Sequence, residues 1–242
     1  MKYDLIIPCH PKDYIKLEFC LVSCIEHLEP APANIYIVAP NEIEFSNEKI
    51  KSVQDKDAVD IHIQDIQYRP NWIYQQFIKL CQNFTENDLY LCVDSDLIFN
   101  RTIYLFDDRG NPKFFTSSND QEHKPYFNFM KGVYDLDKQV DHTFINDFMM
   151  FDKKVCREIV PDIHDFLSLC NEKLNDDFLL SEFELYGNYV TKNYPSKYQK
   201  VNTKNQLNGR YMHQRWSQDE IRSLVENNKN EDIDLFTVHT WT

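Results

Sequence analysis

The stretch that decides the fold is Leu89-Tyr-Leu-Cys-Val-Asp94-Ser-Asp96-Leu-Ile-Phe99. Its first five residues form a largely apolar run, which is typical of a strand that is covered on both faces of a sheet. This strand ends at Asp94, and open α/β sheets bind ligands at the carboxyl ends of their strands. We therefore expect Asp94 and Asp96 to lie in a binding site at the edge of the sheet.

The two aspartates indicate a cation. Asp94 and Asp96 point to the same side of an extended chain, and two converging carboxylates repel each other unless a cation lies between them. Hard divalent cations prefer oxygen ligands. A metal ion held by few protein ligands keeps coordination positions open for the phosphates of a nucleotide. Taken alone, Asp-Ser-Asp is more typical of an acidic turn after a strand, so the interpretation depends on the rest of the chain.

The composition restricts the class of protein. A chain of 242 residues with 42% hydrophobic residues is long enough for one large domain with a sizeable core. Glycine occurs only 4 times, and neither a P-loop nor a dinucleotide-binding glycine pattern is present. The net charge of −13 argues against nucleic acid and an anionic membrane surface as main partners. An acidic protein that binds a nucleotide needs a metal ion or a local basic cluster.

The cysteines and the amino terminus predict a cytoplasmic protein. The 7 cysteines are odd in number, lie mostly in apolar surroundings and include no C-x-x-C pair, which favours reduced thiols over disulfides or a zinc site. The first eight residues are too short and too polar for a signal peptide, and no segment has the length of a transmembrane span.

The first hundred residues predict alternating strands and helices, which implies parallel strands joined by right-handed crossovers. The loop after the first strand should then face the same edge of the sheet as Asp94. On the first predicted helix, Ile15, Phe19, Val22 and Ile25 recur at helical spacing. The predicted strands are residues 3–8, 34–40, 59–63 and 89–93, and the predicted helices are residues 14–27 and 71–81.

The second half of the chain predicts further strands and helices around longer loops. A helix over 153–170 should break or kink at Pro161. The predicted strands are residues 113–116, 144–151, which Asn146 and Asp147 interrupt, and 234–241. The other predicted helices are 178–193 and 218–226. Residues 119–141 are expected to form loops with short elements, and residues 203–214 are expected to be irregular.

The helix over residues 71–81 has an unusually polar side. Trp72, Gln75, Gln76 and Lys79 share it at spacings of three, four and seven residues. Such a side is either an ordinary solvated face or a surface that places Gln75, Gln76 and Lys79 beside a ligand.

Together, these features resemble the GT-A nucleotide-sugar glycosyltransferases. More narrowly, the segments Asn71-Trp-Ile-Tyr-Gln-Gln-Phe-Ile-Lys79, Asp94-Ser-Asp96 and Ser181-Glu-Phe-Glu-Leu-Tyr-Gly187 are similar to a group of such enzymes from bacteria and large viruses. The resemblance extends from Pro8 to about Gly187, with one more match at His239.

The resemblance implies an α/β fold of the GT-A-like, Rossmann-like kind, with a mostly parallel central sheet flanked by helices. It implies a single catalytic domain over residues 1–242, in which 1–99 bind the nucleotide and 100–242 bind the sugar and the acceptor. The implied reaction moves a sugar from a nucleotide-diphosphate sugar, most commonly a UDP-sugar, to a glycan or another hydroxyl acceptor. The implied cofactor is Mn²⁺ or Mg²⁺.

Carried over by position, the resemblance also assigns residues. Pro8, Cys9 and His10 would line the base and ribose pocket. The metal ligands would be Asp94, Asp96 and His239, and the remaining donor-binding residues would be Gln75, Gln76, Lys79, Asp94 and Ser95.

The acids that could serve as a general base are Glu182, Asp147 and Glu184. A glycosyltransferase that inverts configuration needs a base within reach of the acceptor hydroxyl. Ser181-x-x-Glu184 also has the form of a helix capping box, which gives Glu184 a structural interpretation. An enzyme that retains configuration needs no such base, and the sequence leaves the stereochemistry open.

Two alternative functions stay open. An inactive nucleotide-sugar or glycan-binding domain would have the same fold. A sugar-phosphate nucleotidyltransferase would share the sheet and the metal, but it usually carries a glycine-rich basic loop after the first strand. Here that loop is Pro8-Cys-His-Pro-Lys12 and contains no glycine.

Overall fold

The apolar run at residues 89–93 lies at the centre of a mixed α/β fold. The computed structural model describes residues 1–117, 123–208 and 216–239. In these residues the strands are β1 (Asp4–Pro8), β2 (Leu28–Glu29), β3 (Ile35–Ala39), β4 (Ile50–Gln54), β5 (Leu89–Val93), β6 (Leu97–Phe99), β7 (Ile103–Tyr104), β8 (Phe114–Ser117), β9 (Phe148–Asp152), β10 (Lys200–Thr203), β11 (Asn205–Asn208) and β12 (Leu235–Val238).

Eight α-helices accompany these strands in the described part of the chain. They are α1 (Tyr14–His27), α2 (Asp55–Ala58), α3 (Pro70–Cys81), α4 (Lys124–Tyr134), α5 (Lys153–Ile159), α6 (Ile163–Lys173), α7 (Glu182–Asn193) and α8 (Gln218–Asn228). None of these helices combines the length and the apolar character that crossing a membrane requires.

The central sheet has five strands in the order β4-β3-β1-β5-β9. The first four are mutually parallel, and β9 runs antiparallel to β5. The predicted mostly parallel α/β architecture is therefore confirmed. The carboxyl ends of β1, β3, β4 and β5 share one edge of the sheet with the amino end of β9.

Alternate residues of the central strands enter two separate apolar layers. Ile6 of β1 and Cys92 of β5 pack on the side of α3, α5 and α7. Leu5 and Leu91 pack on the opposite side, together with α1 and β6. Both faces of these strands are therefore buried, which explains why β5 is a continuous apolar run rather than an alternating one.

A second sheet brings the end of the described chain to the central one. Its order is β11-β12-β6, with β12 antiparallel to β6. The backbone N–H of Val238 donates to the carbonyl of Asp96 at 2.9 Å. The two halves of the sequence, 1–99 and 100–242, thus share both sheets, because β9 pairs with β5 and β12 pairs with β6.

The predicted strand over residues 59–63 is wrong. The fourth parallel strand is β4, which lies at the sheet edge and is only half-buried, so that it lacks an apolar run. Val59 and Ile61 are buried while Asp60 and His62 are exposed. This alternation has the period of a strand, but it arises from a loop that leads into a 3₁₀-helix at Ile63–Asp65.

Three other predictions also need correction. The segment over 119–141, expected to form loops with only short elements, contains the eleven-residue helix α4, which buries Phe129 and Met130. The strand expected over 144–151 is interrupted at Asp147 as predicted, but only its second part, from Phe148, is a strand. The helix expected from residue 178 begins at Glu182, after its N-cap Ser181.

The break predicted at Pro161 is confirmed. Pro161 separates α5 from α6, and the carboxylate of Asp162 caps α6 by accepting hydrogen bonds from the N–H groups of His164 and Asp165. Two short strands, β10 and β11, occupy residues 200–208, where an irregular segment was expected from 203. Residues 209–214 of that segment and residues 240–241 of the last predicted strand lie outside the described residues.

Candidate functional site

A cavity of about 630 Å³ opens at the edge of the sheet where the parallel strands end. Its walls come from the residues that follow β1, β3, β4 and β5, from the first turns of α3, and from His239 after β12. This is the edge that the sequence predicted for the site. Predicted site residues that line the cavity are Pro8, Cys9, His10, Gln75, Asp94, Ser95, Asp96 and His239.

The loop after β1 is held by local hydrogen bonds. Pro11 starts a 3₁₀-helix over Pro11–Asp13, and the Nδ1 atom of His10 caps it by accepting from the N–H of Lys12 at 3.3 Å. Cys9 is buried, and this burial raises the pKa of its thiol to about 12. Cys9 is therefore a neutral wall of the cavity and not a nucleophile.

Asp96 and His239 form a pair at the cavity wall. Nδ1 of His239 lies 3.0 Å from Oδ2 of Asp96. Burial raises the pKa of Asp96, but the hydrogen bond and charge of His239 and the charge of Lys16 outweigh it, so the net shift of this pKa is downward. The indole N–H of Trp216 donates to the carbonyl of His239 at 3.0 Å and fixes its backbone.

Asp94 is bound to a buried lysine. Nζ of Lys79 lies 2.7 Å from Oδ1 of Asp94 and 2.7 Å from Oε1 of Glu182. Burial raises the pKa of Asp94 to about 7 against the lowering effect of Lys79. Burial also disfavours the charged form of Lys79, but its two carboxylate partners reverse this and raise its pKa, so Lys79 stays an ammonium ion.

The polar side of α3 divides into two groups. Trp72 and Gln75 line the cavity. Gln76 and Lys79 are 2% and 3% exposed and point into the protein toward α7. There Oε1 of Gln76 accepts from the N–H of Glu182 at 3.1 Å. Helical spacing predicted that the four polar residues share one side of α3, but it could not show which of them face the cavity and which are buried.

The three candidate bases have different surroundings. Glu182 is bound to Lys79 and is 5% exposed. Glu184 is 1% exposed, and its Oε1 accepts from the Thr143 hydroxyl at 2.5 Å and from the N–H of Phe144 at 2.9 Å. Burial raises the pKa of Glu184. Ser181 caps α7 by accepting from the N–H of Glu184, but the Glu184 carboxylate faces residues 143–144 rather than completing a capping box.

Asp147 has an unusual backbone. Its φ of 59° lies in the left-handed region. This conformation costs a residue other than glycine about 1–3 kcal/mol, and residues that adopt it cluster at functional sites. Its carbonyl accepts from the N–H of Asp94 at 2.9 Å. The side chain of Asp147 is half-buried, and its charge raises the pKa of Asp94. The bend at Asp147 therefore supports Asp94 directly.

The sequence missed a second buried lysine. Nζ of Lys16 lies 2.6 Å from Oδ1 of Asp13, a residue that lines the cavity. The apolar stripe expected on α1 is only half right, because Ile15 and Phe19 pack against the apolar cluster of β6, β12 and α8, whereas Val22 and Ile25 are 47% and 49% exposed. The deeply buried face carries Lys16, which is 1% exposed. A search for apolar residues at helical spacing cannot identify a lysine that takes the place of an apolar residue on the buried face of a helix.

The predicted set of three metal ligands is only partly assembled. Among residues 1–117, 123–208 and 216–239, no group of three or more His, Cys, Asp or Glu side chains is arranged to hold a metal ion. Nδ1 of His239 and Oδ2 of Asp96 are joined by a hydrogen bond, and their 3.0 Å separation is also that of two neighbouring ligands at about 2.1 Å from an octahedral ion. A divalent cation that replaced the shared proton would therefore fit between Asp96 and His239. Such an ion commonly takes its other ligands from water and substrate phosphates.

No protein-family model matches this sequence, and no curated protein matches it either.

Proposed function

We propose that this chain is a metal-dependent glycosyltransferase of the GT-A type that takes its sugar from a nucleotide-diphosphate donor. The observation that carries the proposal is the Asp96–His239 pair, 3.0 Å apart, in a cavity beside Asp94 at the carboxyl edge of a parallel sheet. Ligand sites of α/β folds occupy this edge, and the cavity volume of about 630 Å³ suits a nucleotide-sized ligand.

The charge of the cavity supports a requirement for metal. Among the described residues that line it, four are aspartates and one is a lysine. Asp94 and Asp13 are each paired with a buried lysine, but Asp55 and Asp96 would still repel a diphosphate, whose charge is also negative. A divalent cation at Asp96 and His239 would neutralise the phosphates and stabilise the departing nucleoside diphosphate. In this proposal Mn²⁺ or Mg²⁺ is the cofactor, a UDP-sugar is the favoured donor, and a glycan hydroxyl is the acceptor.

The chain's own residues would orient the donor. Pro8, Cys9 and His10 form the wall beneath a base and ribose, while Trp72 and Gln75 offer an aromatic ring and an amide from α3. Lys79 reaches Asp94 and Glu182 instead of the cavity, so its influence on the donor is indirect. The loop after β1 has no glycine, which disfavours the nucleotidyltransferase alternative.

A thermal-shift screen tests the proposal. Nucleoside diphosphates and nucleotide sugars would each be added with Mn²⁺ and with EDTA. A ligand at a hundred times its Kd stabilises the folded state by about 2.7 kcal/mol, which raises Tm by about 5–10 °C for a chain of this size. We expect such a shift for one nucleotide class, and only with Mn²⁺. No shift with any nucleotide would favour the glycan-binding alternative, and equal shifts with EDTA would refute the metal requirement.

Asp147 is our candidate for the general base, because its carbonyl binds the N–H of Asp94 and its half-buried side chain lies close enough to Asp94 to raise the pKa of that carboxyl. Once the screen has named a donor, Asp147→Asn is expected to keep donor binding but to slow transfer to the acceptor by about 10²–10⁴-fold. The control is Asp147→Gly, which also removes the carboxylate but accepts a positive φ without strain. Normal transfer by both variants would exclude Asp147 as the base and would favour a retaining mechanism.

A further inference from the structure

Asp94 and Asp96 are neighbours in sequence, but they have partners of opposite kinds. Asp96 faces an imidazole that is itself at the cavity wall. Asp94 faces the ammonium group of Lys79, whose side chain is 4% exposed. An ammonium ion that binds a carboxylate oxygen competes directly with a metal ion for that oxygen. The two aspartates are therefore not equivalent as metal ligands.

Lys79 is fixed in this position from several sides. Its ammonium group lies between the carboxylates of Asp94 and Glu182 at 2.7 Å from each, and 4.4 Å from the centre of the Phe183 ring. Glu182 is held in turn, because its N–H donates to the buried Gln76. Glu182 and Phe183 belong to the first turn of α7, so this helix anchors Lys79 beside Asp94.

We propose that Lys79, anchored by Glu182, is a positioning residue that holds Asp94 away from the metal and leaves Asp96 and His239 as the protein ligands. The inference rests on the metal site of the proposed function. It gives Glu182 a role through Lys79 rather than at the acceptor. It also keeps the carboxylate of Asp94 available to hydroxyl groups of the bound ligand.

The inference makes an unusual prediction for metal affinity. Replacing Lys79 and Glu182 together removes one positive and one negative charge, so the net charge of the protein is unchanged. Asp94 then loses its internal cation and becomes free to act as an additional ligand for the metal. Replacing Lys79 alone would leave Glu182 buried without a cation, which is costly, whereas the double substitution leaves only Asp94 without its cation, and the Asp94 side chain is 24% exposed at the cavity. The double substitution is therefore the informative one.

The test measures binding of Mn²⁺ alone, from the loss of the electron paramagnetic resonance signal of the free ion. We expect Lys79→Met/Glu182→Leu to bind Mn²⁺ on the order of tenfold more tightly than the unmodified protein, the size typical of changes around metal ligands. If this variant does not fold, Lys79→Gln/Glu182→Gln replaces it, since two amides can bond to each other and to Asp94. Unchanged or weaker binding by a folded variant would overturn the inference.

Two controls separate the possible causes. Lys51 and Glu86 form another ion pair at 2.6 Å, near the opposite edge of the sheet. Lys51→Met/Glu86→Leu should leave Mn²⁺ affinity unchanged. Glu182→Gln keeps Lys79 on Asp94 and should not tighten binding, so tightening in this variant would refute the role of Lys79. Both predictions are independent of enzymatic activity.

The result is distinguishable from a failure of the proposed function. Tighter Mn²⁺ binding in the double variant, with no nucleotide bound by either protein, would support the positioning role and refute the glycosyltransferase. The opposite outcome is a metal-dependent rise in Tm with a nucleotide in the unmodified protein, without tighter Mn²⁺ binding in the double variant. That outcome would support the glycosyltransferase and refute the positioning role of Lys79. Absence of Mn²⁺ binding in both proteins, with or without a nucleotide, would overturn both.

Discussion

Gly187→Ala is expected to destabilise the protein by about 3 kcal/mol, which corresponds to a fall in Tm of about 6–12 °C. Gly187 lies within α7, and a Cβ atom there would lie 2.3–2.5 Å from three atoms of the Phe144 ring. Phe144 is 0% exposed, and the Cβ atom would meet Cγ and both Cδ atoms, the part of the ring nearest the backbone, so rotation of the ring does not relieve the contact. The higher helix propensity of alanine offsets only about 1 kcal/mol of the cost.

Gly132→Ala is the matched control. Gly132 also lies in a helix, α4. A Cβ atom there would make one close contact, at 3.1 Å to Cε1 of Phe178. This substitution should be nearly neutral, because the ring needs to move by only a few tenths of an ångström. Thermal unfolding of both variants checks the prediction. Equal stabilities would show that α7 can shift away from Phe144. If adding Phe144→Leu restores the thermal stability that Gly187→Ala loses, the contact between residue 187 and the Phe144 ring is the cause of the destabilisation.

Asp96→Asn is expected to eliminate metal-dependent nucleotide binding while leaving the fold intact. The substitution removes the ionised carboxylate that faces His239 and the cavity. The backbone carbonyl of Asp96, which binds the N–H of Val238, is unchanged, so β12 stays paired with β6. We expect affinity for Mn²⁺ to fall by about 100-fold, near the upper end of effects at metal sites. Equilibrium dialysis with Mn²⁺, followed by the thermal-shift screen, measures both effects.

The control for charge is Asp55→Asn. Asp55 lines the same cavity and loses the same charge on substitution, but it lies after β4 rather than beside His239. It should reduce Mn²⁺ affinity by only a few-fold, through the weaker field of the cavity. An equal loss in Asp55→Asn and Asp96→Asn would mean that the cavity attracts cations diffusely and that Asp96 is not a ligand.

The sequence predicted the parts of the fold that depend on local pattern. β5 is an apolar run bounded by polar residues, and the helix predicted over residues 71–81 agrees with α3 to within one residue. The position of the cavity followed from the topology, because parallel strands bring their carboxyl ends to one edge. β4 was missed because an edge strand that is half-buried has no apolar run, and the buried side chains of Val59 and Ile61 imitate a strand.

The partners of charged residues were not predictable from local pattern. Lys79 and Glu182 are 103 residues apart in the sequence, and only the packing of α3 on α7 joins them. A lysine on a polar helix face looks solvated until the helix opposite it is known. The same holds for Lys16, whose ammonium group lies under the cavity beside Asp13. The sequence therefore indicated which charged groups are present in this region but not which of them neutralise one another.

The pairing of β6 with β12 sets the time at which the proposed metal site can form during protein synthesis. Asp96 and His239 are 143 residues apart in the chain. At about 5–20 residues per second, a ribosome needs roughly 7–30 s to pass from one to the other. Until then Asp96 has no imidazole beside it, and the edge of β6 that pairs with β12 stays unpaired. A nascent chain therefore cannot assemble the Asp96–His239 site, and any activity that depends on it is delayed until residue 239 has left the ribosome.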